Sequence, residues 1–76
     1  MKRQMILDHL QLAERHVVEG ERHLARQRDI VDTLEREGLD GKTARALLVQ
    51  FEEMQTLHLA DRDRLRAELA AQNDGD

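Results

Sequence analysis

An all-α fold, two long antiparallel helices forming a helical hairpin or coiled coil, follows from three observations. Apolar and small residues recur in steps of four and three from Ile6 to Leu34. The stretch Gly38-Leu39-Asp40-Gly41 breaks that pattern. The same stepping then resumes from Ala44 to Leu69. Residues so spaced lie in a narrow line along one side of an α-helix, the pattern of a helix that packs lengthwise on another.

The first helix is predicted from about residue 4 to 37, after a short basic lead-in, Met1 to Gln4, that frays. Its seam reads Ile6, Leu10, Ala13, Val17, Gly20, Leu24, Gln27, Val31 and Leu34. Glu14-Arg15-His16 recurs seven residues on as Glu21-Arg22-His23, a heptad echo too short for a repeat domain. Gly20 costs about 1 kcal/mol in a helix interior, so its place on the seam implies a close approach by the partner helix or room for a large side chain.

Gly38 supplies the left-handed residue that closes a helix, with Leu39 in the apolar position that follows, so the turn is placed at 38–41. Asp40 is the expected N-cap of the second helix, its carboxylate accepting the amide of Lys42 or Thr43. So short a link makes the helices antiparallel neighbours. The second helix is predicted over about 41–71, with the seam Ala44, Leu48, Phe51, Gln55, His58, Arg62, Leu65 and Leu69. The polar residues 72–76 are expected to be a disordered tail. The chain, 1–76, is a single hairpin domain.

With the turn centred near Asp40, one register pairs Leu34 with Leu48, Val31 with Phe51, Gln27 with Gln55 and Leu24 with His58. It continues with Gly20 and Arg62, Val17 and Leu65, Ala13 and Leu69. It sets amide against amide and the smallest residue against the longest, as a packed interface asks.

Composition narrows the function classes. Charged residues are 37% of the 76, aromatics 1%, and proline is absent, a balance that favours uninterrupted helices. The net charge of −4, with cations scattered among acids, argues against nucleic acid as a partner. No cysteine is present, and the early apolar run Met5-Ile6-Leu7 is too short for a signal core or a membrane span. A soluble cytoplasmic protein with no membrane partner is therefore expected.

The seventeen seam positions hold only twelve apolar residues, too little burial for a hairpin to stand alone. Met5, Leu12 and Ile30 lie on one shoulder of helix 1, Leu7 and Val18 on the other, and Leu47, Met54, Leu57 and Leu59 lie off the seam of helix 2. Two hairpins packed as a four-helix bundle would cover them, so a homodimer is expected. The interface residues are Ile6, Leu10, Val17, Leu24, Val31, Leu34, Leu48, Phe51, Leu65 and Leu69.

The histidines are the sharpest chemical feature. His9, His16 and His23 are spaced by seven, about 10 Å apart along the axis, so they cannot share one metal. The plain expectation is that they hydrogen-bond acids across the interface, for instance His16 to Asp61 or Glu68. A metal site would draw on both helices, with His23, His58 and Asp61 at similar height and Glu19 one turn away, a set suited to zinc or iron. The Glu-x-x-His pairs of di-iron bundles are absent, since Ala13, Gly20 and Gln55 stand three residues before His16, His23 and His58. Histidines beside a seam also allow pH-sensitive assembly.

Gly41-Lys42-Thr43 ends like a phosphate-binding loop but lacks the earlier glycine, where Arg36 stands, and a preceding strand. The run Asp61-Arg62-Asp63-Arg64-Leu65-Arg66 reads as a solvated face with Arg62 turned inward. The alternative, with Leu57 and Leu59 beside it, is a docking patch for a larger protein. The chain has no serine or cysteine, and a hairpin this thin has no cleft for a substrate, so no catalytic residue or cofactor is assigned and the chain reads as a non-enzyme.

With Gly20-Glu21-Arg22-His23, Gln27-Arg28, Gly38, Phe51-Glu52, Gln55, His58 and Asp61-Arg62-Asp63-Arg64-Leu65, the chain resembles a group of short uncharacterised bacterial proteins of similar length. The resemblance implies a bacterial helical hairpin and brings no assigned activity. The function expected is a protein-interaction or oligomerisation module, with a metal-binding bundle or a pH-sensitive assembly as the alternatives.

Overall fold

A computed structural model describes residues 2–75, with side chains to Gln72; Met1 and Asp76 lie outside the described residues. The chain is a helical hairpin of α1 (Arg3–Arg36) and α2 (Lys42–Gly75), packed against each other in a rod 60 × 14 × 13 Å. All seventeen seam residues are buried or half-buried. At one end Ile6, Leu10, Ala13 and Leu65 form the buried apolar cluster, with Leu69 packed against it. Leu24 and Val31 continue the buried line towards the turn.

The reversal is built by Gly38, whose φ of 70° is the only positive one among the described residues. The Leu39 amide donates to the Leu34 carbonyl (2.9 Å) and the Gly38 amide to the Glu35 carbonyl (3.1 Å), which satisfies carbonyls the ended helix would leave free. The Lys42 amide then donates to Asp40 Oδ1 at 3.0 Å, which starts α2. α2 continues to Gly75, where a disordered tail from Gln72 is expected. Ala67, Ala70, Ala71 and Gln72 are strong helix formers, no proline interrupts them, and Gln72 is half-buried.

The facing register differs from the expected one by one heptad. Gly20 meets Gln55 rather than Arg62, and Leu34 meets Gly41 rather than Leu48. His58 lies beside His16 rather than Leu24, and Phe51 beside His23 rather than Val31. Leu65 joins Leu10 and Ala13 rather than Val17. The physical reason is the position of the apex. The chain reverses at Gly38, not near Asp40, and residues 39–41 already run back down α1, so that Gly41 is level with Leu34 when α2 begins. Gln27 and Gln55 therefore do not pair.

Candidate functional site

The middle of the rod is a polar layer. Gln55, 4% exposed, donates from Nε2 to the Val17 carbonyl at 3.0 Å and to Glu21 Oε1 at 3.2 Å. A helix carbonyl has a second lone pair, so it accepts this amide without losing its own helical bond. The approach is possible because residue 20 has no side chain: a Cβ built there would overlap the Gln55 amide. Gln55 Oε1 is buried with no protein partner among the described residues. Gln27 makes the matching contact nearer the turn, Nε2 to the Ala44 carbonyl at 2.9 Å. Half-buried Arg62 turns to its neighbour Asp63 (3.0 Å) instead of spanning to α1.

The two long edges of the hairpin differ in kind. Along one, Glu14, Glu21, Arg28 and Glu35 follow one another at heptad spacing. Interhelical ion pairs close it: Glu35 with Arg45 at 3.1 Å, Glu14 with Arg66 at 3.4 Å and Arg28 with Glu52 at 4.0 Å. The other edge carries His9, His16, His23 and Ile30 of α1, again seven apart, with Met5 and Leu12 beside them. Facing these are Leu47, Met54, Asp61 and Glu68 of α2, with Leu57 beside them. Among the described residues no hydrogen bond or ion pair crosses this second edge, and six of the nine exposed large hydrophobics lie on it. Leu57 is the most exposed of them, at 69%.

The histidine expectations are corrected by these positions. His16 does not bond Asp61 or Glu68. Both acids bind Arg64 instead, at 2.6 and 2.9 Å, and those hydrogen bonds, Asp61 first, raise the guanidinium pKa. The His16 ring lies against that of His58, with centroids 5.2 Å apart and planes at 45°. The His23 ring lies against Phe51 at 5.9 Å. No ring nitrogen of the four histidines makes a hydrogen bond among the described residues. The set His23, His58, Asp61 and Glu19 does not form one metal centre: the heptad shift lowers His58 to His16, and Asp61 is held by Arg64. Among the described residues no group of three or more ligating side chains is placed to hold a metal ion.

Gly20, His23, Phe51, Met54, Gln55 and His58 line a mostly apolar cavity of about 210 Å³ on the histidine edge. A larger concavity, about 710 Å³, lies beside Asp29, Asp32, Thr33, Glu35 and Arg36. It is open surface along α1 alone and brings no groups from the two helices together. Among the described residues no helix is long and apolar enough to cross a membrane.

Sequence reasoning separated the two shoulders of the first helix but assigned the off-seam apolar residues of the second to no edge and did not foresee the ion-paired one. The signal was present in the chain: Glu14, Glu21, Arg28 and Glu35 stand at heptad spacing on one flank of the first helix, with Arg45, Glu52 and Arg66 on the matching flank of the second, while His9, His16, His23 and Ile30, and Leu47 and Met54, take the opposite flanks. Compared with protein-family models, curated proteins and solved structures, this chain finds no match.

Proposed function

We propose that the chain is a non-enzymatic protein-interaction module whose partner is a second copy of itself, joined histidine edge to histidine edge in a four-helix bundle. Two observations support it: the hairpin exposes more total surface than a compact monomer of its mass, and most of its exposed large hydrophobics gather on one edge. A folded monomer of 8.8 kDa exposes about 4,800 Å² by the usual mass scaling, whereas this hairpin exposes 5711 Å². The surplus, roughly 900 Å², matches the ~800 Å² that each partner buries in an interface of standard size. The ion-paired edge has already met its electrostatic needs within the chain. The histidine edge has no polar contact between its helices among the described residues, and six of the nine exposed large hydrophobics lie on it.

Sedimentation of the full chain at micromolar concentration tests the reading. A dimer is expected. Met54→Glu with Leu57→Glu, both exposed in the hairpin, is expected to give folded monomer, because two new carboxylates would be buried against an apolar partner. Arg28→Ala on the opposite edge is expected to leave the dimer intact. A stable wild-type monomer, or a dimer indifferent to the double substitution, overturns the proposal.

A further inference from the structure

We propose that His16 and His58 together bind a divalent transition-metal ion of the zinc class. Two imidazoles on one tetrahedral zinc, with metal–nitrogen bonds of about 2 Å, hold their ring centres about 5 Å apart. The His16 and His58 centroids are 5.2 Å apart, on different helices and both half-buried, and the register keeps the rings at one height. Their nitrogens are engaged with no other described residue, so no existing hydrogen bond has to be broken for them to ligate. The pair differs from His23 and Phe51 one heptad above, where the second ring has no donor atom. Asp61, the nearby carboxylate, is held by Arg64 and is not needed as a ligand.

Two imidazoles leave two positions of a tetrahedral ion open. Because the pair lies on the edge assigned to self-association, the same pair from a second copy fills them and closes a four-histidine shell. This sharing of the ion rests on the dimer proposed above; binding by one chain's pair does not, since water can occupy the open positions.

The test is calorimetric titration of tag-free, chelator-stripped full-length protein with zinc chloride. Saturable uptake is expected. Half an ion per chain marks sharing between copies and one ion per chain marks completion by water, and either supports the site. His16→Gln and His58→Gln, which keep a polar side chain at each position, are each expected to weaken uptake by about tenfold or more, since loss of a group that merely supports a ligand already costs about that much. His23→Gln is expected to leave it unchanged. Zinc is also expected to raise the melting temperature of the wild type but not of the His16→Gln/His58→Gln variant, because an ion that binds only the folded chain stabilises it. No saturable uptake by the wild type at millimolar zinc overturns the inference, as does undiminished uptake in the doubly substituted chain. Sedimentation in excess chelator reads the dimer separately, so either proposal can fail alone.

Discussion

Gly20→Ala is the most informative single change in the hairpin. In an open helix it stabilises by about 1 kcal/mol, because glycine loses more backbone freedom on folding. Here the new Cβ would occupy the space of the Gln55 amide. Gln55 must swing away, giving up its bonds to the Val17 carbonyl and Glu21 and leaving a buried donor unpaired. That costs about 1–3 kcal/mol, so the helix gain is outweighed and the net effect is a loss of about 1 kcal/mol. For a domain of this size the melting temperature falls by about 4–8 °C. In a Gln55→Ala background the obstruction is gone, so the same substitution is expected to raise the melting temperature by a similar amount. The coupling between the two positions is then about 2 kcal/mol. Far-ultraviolet circular dichroism melts of the four proteins, at one protein concentration because association shifts the midpoint, read this directly. An equal, stabilising effect of Gly20→Ala in both backgrounds would refute the account of the central layer.

Two further changes probe the turn and the core. Gly38→Ala is expected to cost about 1 kcal/mol from backbone strain alone, since nothing lies within 4 Å of the added methyl. Gly38→Asn is expected to cost less than Ala, and equal losses in urea denaturation would count against a left-handed cap. Ile6→Ala removes a side chain only 1% exposed and is expected to cost about 2–4 kcal/mol, so a loss below about 0.5 kcal/mol would show that the open end of the rod is frayed.

The helices, the glycine stop, the Asp40 cap and the seam residues were legible in the chain because each rests on local chemistry or on a short period. The register was not. A seam that repeats every seven residues is nearly as well matched after a slide of one repeat, and periodicity alone does not choose between the two. What decides is the exact residue at which the chain turns back, together with a contact that pattern matching does not value, a glutamine amide on a bare stretch of helix backbone. Pairing Gln27 with Gln55 satisfied polarity by type. In the folded chain each amide instead found a main-chain carbonyl. The candidate metal set failed for the same reason: one heptad of displacement, about 10 Å, replaces His23 by His16 as the neighbour of His58.

The bare residue at mid-span works as an index mark on an otherwise uniform ruler. If α2 slid by one repeat in either direction, Leu48 or Arg62 would come level with Gly20, and Gln55 would come level with Ala13 or Gln27. In either position its head group would meet a side chain and lose its access to the main chain. Long two-rod assemblies of this kind owe their alignment less to the many greasy contacts, which any step of seven restores, than to the one notch that fits a single tooth.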